Sequence, residues 1–478
     1  MSQNLQVKAS ESPSANADLV LFTAKDQFTT RPFRASEFDG ELGSSALYHA
    51  EDRLEIHIGL GQQESLSGHS YRLAAAHAAR KATAAGSTEI ALDISETEEF
   101  VSEIAEGLLM GFYRFDQFRS DTPEQSLKKV TLVGPKKTLK STRAQIARGI
   151  AIGSSISYCR ELGNLPGNEI YPEKLALEAR QIAESDVVKC KIWNLAGLKR
   201  EHFGGIVAVG AGSANEPRLI RLDYNSGSRG VPTVAVVGKA ITFDSGGLCI
   251  KPGEHMDEMK FDKMGGCAVL GVLRAVLSLK TRANVIGILA AAENMTGSSA
   301  YRPGDILRSY DGKTIEVANT DAEGRIVLAD ALGYVREKVK PDLVIDLATL
   351  TGACVVALGE ERAGLFSKDE TISQLLCSVG DQIGEKVWPL PVGDEFDEMI
   401  TSKVADVRNL GSTRWGGAST AASFLLKWTD GLKHVHLDIA GPAMSSKERF
   451  YRSEGASGFG VNLVVRFIEK WAESFQNL

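Results

Sequence analysis

Three short segments combine carboxylates, lysines and glycines in a way that could hold divalent metal ions. The residues that could do this chemistry are Lys239, Asp244, Lys251, Asp262, Asp321 and Glu323. Hard or borderline cations take carboxylate oxygens, and two ions about 3.5 to 4 Å apart need several carboxylates, at least one of them bridging. The four carboxylates together therefore indicate a site for a cluster of divalent ions.

Each segment alone also has a simpler interpretation. Asp321 and Glu323 stand before a helical pattern at 326 to about 338, where acidic residues most often cap a helix and complement its dipole. Asp262 allows the same interpretation. The glycine pair after Ser245 could cradle a phosphate, although the G-x-x-x-x-G-K-[ST] spacing is absent. Only the combination of the three segments favours the metal site.

The elements that must position these residues are buried strands that alternate with helices. Continuous apolar runs recur at 233–237, 284–291, 343–347 and 435–439. Such runs are typical of a mainly parallel sheet covered by helices on both faces. In open α/β sheets, ligands bind beyond the carboxyl ends of the strands. We therefore expect the polar residues that follow these runs to form the site.

The 478 residues allow two domains as a first expectation. Residues 1–17, rich in Ser, Asn and Ala, are expected to be a disordered tail, because they carry little apolar material. The remaining expectations are a smaller N-terminal α/β domain at 18–140, a linker helix at 141–163 and a larger catalytic α/β domain at 164–478. Pro166 and Gly167 should stop the linker helix.

Composition excludes several classes of protein. The 54 Lys and Arg against 61 Asp and Glu give a net charge of -7, so nucleic acid is not expected as a partner. No run approaches the roughly 20 apolar residues of a membrane span, and the N-terminus lacks the apolar core of a signal peptide. Six cysteines without C-x-x-C spacing favour a reducing compartment. We expect a cytoplasmic protein with no membrane partner.

One seven-residue segment, NTDAEGR at 319–325, resembles the signature of the leucyl aminopeptidase family, the two-metal cytosolic aminopeptidases. Further segments resemble family blocks in family order: TFDSGG at 242–247, IKP at 250–252, MKFD at 259–262, AENM at 292–295, YRPGD at 301–305 and DLATLTGA at 346–353. The resemblance covers about residues 164 to 478. The N-terminal part is similar only in its position.

The resemblance implies a role for each matching residue. The residues that would bind two zinc or manganese ions are Lys239, Asp244, Asp262, Asp321 and Glu323, with Asp244 and Glu323 bridging. Lys251 would stabilise the developing oxyanion, and Arg325 would hold a bicarbonate ion that acts as general base. The residues that would line the substrate cleft are Met259, Thr349, Leu350 and Gly352.

The activity implied by the resemblance is the release of leucine and other mainly apolar N-terminal residues from peptides, by attack of a metal-bridging water. A free N-terminus and assembly as a homohexamer are implied as well. The alternatives are a specialised dipeptidase, for example on Cys-Gly, and a moonlighting DNA-binding regulator. A catalytically dead scaffold is disfavoured, because all seven chemical positions are filled by the expected residue types.

The sequence departs from the family pattern beside one metal residue. The family usually has Asp-Met-Gly-Gly or Asp-Met-Cys-Gly, whereas this chain has Asp262 followed by Lys263, Met264 and two glycines. On a helix, Lys263 would project about 100° away from Asp262. The departure nevertheless adds a cation near the site, so we expect an effect on metal affinity or preference.

Overall fold

The computed structural model of the protein describes residues 5–27, 33–34, 36–448 and 454–475. The chain forms two compact units. Unit 1 comprises Met1–Ser157, Gln382–Gly384 and Ser445–Glu454. Unit 2 comprises Tyr158–Asp381, Glu385–Met444 and Gly455–Leu478.

The N-terminal part of the chain folds as an α/β unit around one sheet. Its elements are β1 (Gln6–Ser10), β2 (Asp18–Ala24), β3 (Ser45–His49), β4 (Leu54–Gly61), α1 (Gly68–Ala84), β5 (Glu89–Asp93), α2 (Val101–Phe112), β6 (Lys129–Val133) and the first part of α3 (Leu139–Asn164). From Tyr158 onward, α3 belongs to unit 2. The strand order is β1-β6-β5-β2-β4-β3, and every pair is parallel except β3 with β4. Helices α1 and α2 approach closely, because Gly107 and Gly111 leave room for the carbonyl oxygens of Arg72 and Ala76.

The expected disordered tail at 1–17 was wrong for Gln6–Ser10, which form strand β1. This strand pairs in parallel with β6, and Leu5 and Val7 are buried in the core of the unit. The reason is physical: two apolar side chains two residues apart face the same side of a strand, so even a polar segment can cover an otherwise open sheet edge.

The rest of the chain supplies the larger sheet and its helices. The strands are β7 (Val188–Trp193), β8 (Arg218–Tyr224), β9 (Thr233–Asp244), β10 (Asn284–Asn294), β11 (Ile306–Arg308), β12 (Thr314–Glu316), β13 (Leu343–Ala348), β14 (Ala363–Phe366), β15 (Val387–Pro389), β16 (Val407–Arg408), β17 (His434–Asp438), β18 (Met444–Ser445) and β19 (Gly455–Ala456). The helices are α4 (Pro172–Ile182), α5 (Leu195–Arg200), α6 (Gly204–Val209), α7 (Met264–Leu279), α8 (Glu323–Tyr334), α9 (Gly352–Leu358), α10 (Glu370–Ile383), α11 (Asp394–Met399), α12 (Gly417–Leu426) and α13 (Val461–Phe475).

The eight-stranded sheet of unit 2 has the order β15-β14-β17-β13-β9-β10-β8-β7. Its four central strands, β17, β13, β9 and β10, are parallel to one another. One face packs against α8, where Ala235 and Val237 join a buried apolar cluster. On the other face Gly287 lies against Val269 and Leu273 of α7. The predicted fold class, a mainly parallel sheet covered by helices after a smaller α/β domain, is confirmed.

A buried ionic cluster joins two of the central strands. Asp346 on β13 pairs with both His434 and His436 on β17, each at 2.6 Å, and all three side chains are buried. Burial alone would raise the pKa of Asp346, but the charge of His436 and the hydrogen bonds from both rings lower that pKa to about 2. The carboxylate of Asp346 in turn raises the pKa of His436 against the opposing effect of burial.

This cluster predicts that Asp346→Asn lowers the free energy of unfolding by about 3 to 5 kcal/mol at pH 7, because it removes one partner of a buried pair. A lowered pKa contributes stability above the ordinary aspartate pKa, and that stability is lost as the pH falls toward 2. The difference from wild type should therefore shrink below about pH 4. Urea unfolding at several pH values measures it. Exposed Asp430→Asn is the control, and equal losses in both variants would contradict the prediction.

Candidate metal centre

The predicted metal residues come from separate elements at the carboxyl edge of the central sheet. Asp244 is the last residue of β9, and Asp262 lies in the 3-10 helix Met256–Lys263 just before α7. Asp321 lies in the loop before α8, and Glu323 is the first residue of that helix. Among the residues that the structure describes, no side chain caps the N-terminus of α8. The structure therefore does not show Asp321 or Glu323 as a helix cap, whereas Glu323 does lie in the first turn of α8, where an acidic side chain complements the helix dipole.

The position of Lys239 differs from the expectation. The sequence predicted a strand at 233–237 followed by a loop, but β9 continues to Asp244 and Lys239 lies inside it. The backbone stays paired with β10, where Lys239 faces Ala290 and Asp244 faces Asn294. A buried lysine is tolerated in this strand because its ammonium group forms ion pairs with carboxylates.

Three buried carboxylates converge at this edge. Asp244, Asp262 and Glu323 each offer one oxygen within 4.8 Å of the others. The ammonium group of Lys239 pairs with Asp262 at 2.7 Å and with Glu323 at 2.9 Å. It also donates to the carbonyl oxygen of Thr349 at 2.9 Å. A cation thus already lies between two of the carboxylates.

A second lysine, Lys251, pairs with the other two carboxylates. Lys251 lies 2.9 Å from Asp244 Oδ2 and 2.6 Å from Asp321 Oδ1, and its side chain is 22% exposed. Burial lowers the pKa of Lys251, but the carboxylates, Asp244 first, outweigh burial and raise that pKa above its usual value. Lys251 therefore remains charged at neutral pH.

Four carboxylates face only two ammonium groups in this cluster. Burial, together with the charge of Asp244, raises the pKa of Glu323 to about 8 and that of Asp262 to about 6. In the described part of the chain, Asp262 Oδ2 and Glu323 Oε2 are buried without a hydrogen-bond partner. Excess negative charge and unpaired carboxylate oxygens are the chemistry that divalent ions satisfy, so the residues fit a metal site.

Asn294, at the end of β10, orients one of the carboxylates. Its fully buried amide donates to Asp244 Oδ1 at 2.8 Å and to the carbonyl oxygen of Thr320 at 3.0 Å. The amide nitrogen of Gly246 donates to the same carboxylate oxygen at 2.9 Å. Asp244 is thus fixed relative to the loop that carries Asp321.

Asn409 holds the signature segment, and no feature of the sequence pointed to it. Its buried side chain accepts from the amide nitrogen of Ala318 at 2.7 Å and donates to the carbonyl oxygen of Asn319 at 2.7 Å. Its own carbonyl oxygen accepts from Arg325 at 2.7 Å. Asn409 follows the two-residue strand β16, far along the chain from this segment, so only the fold brings the two together.

Arg325 is a buried cation on α8. Burial lowers its pKa to about 10, so the guanidinium remains charged at neutral pH. One nitrogen donates to Asn409, and Nε is buried without a hydrogen-bond partner among the described residues. Such a group suits a small anion.

The predicted substrate residues are placed on two segments around the cluster. Thr349 contacts it directly, because its hydroxyl donates to Asp262 Oδ1 at 2.7 Å. The amide nitrogen of Leu350 donates to Asp438 Oδ1 at 3.2 Å. Met259 lies in the 3-10 helix of Asp262, and Gly352 begins α9 with open space where a Cβ would be.

Lys263 does not direct its charge at the metal residues. Its side chain is fully buried, and its ammonium donates to the carbonyl oxygens of Gly163 at 2.9 Å, of Leu165 at 2.8 Å and of Lys260. Burial lowers its pKa to about 8. The predicted additional cation is therefore bound by main-chain oxygens.

Among the described residues, we find no helix that is both long and apolar enough to cross a membrane. Residues 157–465 match the family model of the cytosol aminopeptidase family, catalytic domain. Residues 11–122 match the N-terminal domain of the same family. This second match extends the family likeness to the part of the chain whose sequence resembled the family only in position.

Sequence relatives carry the same description along most of their length. A protein of Cenarchaeum symbiosum named "Probable cytosol aminopeptidase" is 43% identical over 424 residues, which cover 87% of this chain and 86% of that protein. A protein of Chlorobaculum tepidum with the same name is 39% identical and covers 98% of this chain and 99% of its own.

Solved structures agree with the sequence relatives. A tomato leucine aminopeptidase mutant matches with a TM-score of 0.89 and 31% identity, over 98% of both chains. The bottromycin maturation enzyme BotP in complex with Mn matches with a TM-score of 0.88 and 32% identity, over 96% of this chain and 100% of that one. Together with the carboxylate cluster, these matches show that the chain belongs to the cytosol aminopeptidase family and is a metal-dependent aminopeptidase.

Proposed function

We propose that this aminopeptidase releases leucine and other mainly apolar residues from the free N-termini of peptides, using two zinc or manganese ions. The metal residues are Lys239, Asp244, Asp262, Asp321 and Glu323, with Asp244 and Glu323 as the bridging carboxylates. One observation carries the proposal: three buried carboxylates lie within 4.8 Å of one another beside two lysines, and two of them, Asp262 and Glu323, each have an oxygen without a hydrogen-bond partner among the described residues. Two divalent ions bound there would supply an acidified water as nucleophile and an anchor for the free amine.

Lys239 and Lys251 take different roles in this proposal. Lys239 is 3% exposed and lies between two carboxylates, so divalent ions bound by those carboxylates would favour its neutral form as a ligand. Lys251 is more exposed and keeps its charge through Asp244 and Asp321. We assign to Lys251 the stabilisation of the oxyanion that forms on the peptide carbonyl.

Arg325 is proposed to hold a bicarbonate ion that accepts the proton from the attacking water. The support is its buried guanidinium, whose Nε has no partner among the described residues. In this proposal all four carboxylates of the cluster are metal ligands, which leaves none of them free for this proton transfer. Asn409 would keep the guanidinium in position.

Met259, Thr349, Leu350 and Gly352 are proposed to line the substrate cleft. Thr349 reaches the carboxylate of Asp262, so its segment borders the reacting groups. Met259 and Leu350 supply apolar surface for the first side chain. The open space at Gly352 leaves room for the peptide backbone.

We further propose a cytoplasmic homohexamer, on the basis of the family likeness. The proposed domain division remains 18–140, 141–163 and 164–478, and α3, at Leu139–Asn164, supports the linker helix. A specialised Cys-Gly dipeptidase would use the same metal residues and differ only in its pocket. DNA binding, the other alternative, would appear as a salt-dependent gel shift with duplex DNA.

Metal removal is the first test. Hydrolysis of leucine p-nitroanilide should vanish after chelation and return when zinc or manganese is restored, because the nucleophile depends on the metal. An N-acetylated leucine substrate is the control and should stay intact with every metal, since its blocked nitrogen cannot coordinate. Cleavage of Cys-Gly alone would favour the specialised dipeptidase. Activity that survives exhaustive chelation would contradict the proposal.

Glu323→Gln should weaken metal binding by at least about 100-fold and abolish turnover, because it removes a bridging carboxylate. The fold should persist, since the substitution relieves the repulsion of Glu323 by Asp244 and Asp262. Metal content by mass spectrometry and circular dichroism measure the two effects. Exposed Glu337→Gln, just beyond the same helix, is the matched control and should retain full metal content.

Lys251→Met should lose turnover but, unlike Glu323→Gln, keep its metal ions. It removes the proposed oxyanion donor, so kcat should fall about 100- to 1,000-fold. Metal content should be retained, because the loss of a cation leaves Asp244 and Asp321 more negative. Steady-state kinetics on metal-loaded protein of known metal content provide the measurement. A variant that keeps wild-type kcat would remove Lys251 from the mechanism.

A further inference from the structure

Lys263 is a fully buried lysine that makes all its described hydrogen bonds to main-chain carbonyl oxygens. The acceptors belong to Gly163, Leu165 and Lys260. Within the described part of the chain, no carboxylate forms an ion pair with it. A buried ammonium group is costly unless its protons are bound, and three carbonyl oxygens match its three donors. All three donors of the buried ammonium group are therefore satisfied without a negative charge.

Two of these acceptors lie at the end of α3, which terminates at Asn164. The last carbonyl groups of a helix have no donor within the helix, and the helix dipole favours a cation at that end. Lys263 therefore caps the C-terminal end of α3 from a segment about 100 positions later in the chain, by donating hydrogen bonds to its carbonyl groups. The same turn also packs tightly, because a Cβ at Gly163 would overlap the sulfur of Met264.

The segment on the other side of this contact carries a proposed metal ligand. Asp262 precedes Lys263 in the 3-10 helix Met256–Lys263, which has eight residues. Runs of 3-10 helix longer than three or four residues are uncommon because their hydrogen bonds have poorer geometry. This helix therefore depends on contacts outside itself. Lys263 provides one such contact and holds the carbonyl group of Lys260 as well.

We propose that Lys263 is a positioning residue for Asp262: its ammonium ties the backbone of the ligand segment to the end of α3. The proposal rests on the proposed function, since it takes Asp262 as a metal ligand. Asp262 Oδ1 is already held by Lys239 and Thr349, each at 2.7 Å, which fixes the carboxylate on one side. Lys263 fixes the peptide from which that carboxylate projects.

A purely electrostatic effect of Lys263 and a positioning role predict opposite changes in metal affinity when Lys263 is removed. A cation near divalent ions repels them, so its removal should tighten metal binding if charge were its main effect. Loss of a positioning contact should weaken binding instead, because the ligand carboxylate is no longer held in place. The sign of the change in affinity therefore separates the two explanations.

The experiment compares Lys263→Met with Lys260→Met in the full-length protein. Both variants remove a cation from the same segment, but the Lys260 side chain lies over the ring of Phe261 instead of binding α3. Metal-free proteins are titrated with zinc against a chromophoric chelator, which yields a dissociation constant for each of the two ions. Circular dichroism at the titration temperature establishes that each protein is folded.

We expect Lys263→Met to weaken the binding of one of the two ions by about 10- to 100-fold and to leave the other nearly unchanged. Lys260→Met should bind both ions as tightly as wild type or more tightly. Binding of both ions by Lys263→Met with unchanged or higher affinity would overturn the proposal. If Lys263→Met does not fold, Lys263→Gln keeps one donor group and should show the same selective loss in smaller measure, and its absence would overturn the proposal equally.

The titration of wild type separates this proposal from the proposed function. Failure of the wild-type protein to bind two zinc ions would refute the metal site itself. Two ions bound by wild type and equally well by the folded Lys263 variant would refute only the positioning role. A loss spread evenly over both ions would also count against it, because Asp262 is not a bridging carboxylate in the proposed site.

Discussion

Repulsion among buried carboxylates is the constraint on which the site depends. Asp244, Asp262 and Glu323 lie within 4.8 Å of one another, and burial strengthens their mutual repulsion. The fold keeps them together because each carboxylate belongs to a different element of the structure. The repulsion is therefore resisted by several elements and not by one segment. Lys239 and Lys251 offset part of the charge. The remaining negative charge favours the binding of divalent cations. Burial, together with this repulsion, raises the pKa of Glu323 to about 8.

Two asparagine side chains hold the cluster in place relative to the sheet. Asn294 joins the end of β10 to Asp244 and to the loop before α8, and Asn409 joins that loop to Arg325. Both side chains are fully buried; Asn294 donates to a carboxylate and to a carbonyl oxygen, and Asn409 donates and accepts at once. A carboxylate could not donate these hydrogen bonds, and a lysine would bring a charge. Neutral amides add no charge to a site that already has too much. Their chemistry therefore suits a position between charged ligands and the backbone.

The sequence allowed the fold class and the family to be predicted, because apolar runs and a specific signature are local patterns. It failed where a tertiary contact decides the outcome. Lys239 reads as a loop residue, since a charged side chain interrupts the apolar run, yet continued pairing with β10 keeps it in the strand. Gln6–Ser10 were predicted to be part of a tail, yet pairing with β6 makes them the edge strand of the sheet. Asn409 left no signal, because its partners lie about 90 positions earlier in the chain.

Three lysines near the site show why residue type alone does not define a role. Lys239 is enclosed by Asp262 and Glu323, and Lys251 is partly exposed between Asp244 and Asp321. Within the described part of the chain, Lys263 donates only to carbonyl oxygens. A metal ion can take the place of a lysine beside carboxylates. The carbonyl groups at a helix end, in contrast, would lose their capping donor if Lys263 moved away. The first two lysines therefore belong to the chemistry of the cluster. The third belongs to the framework that keeps the cluster in place.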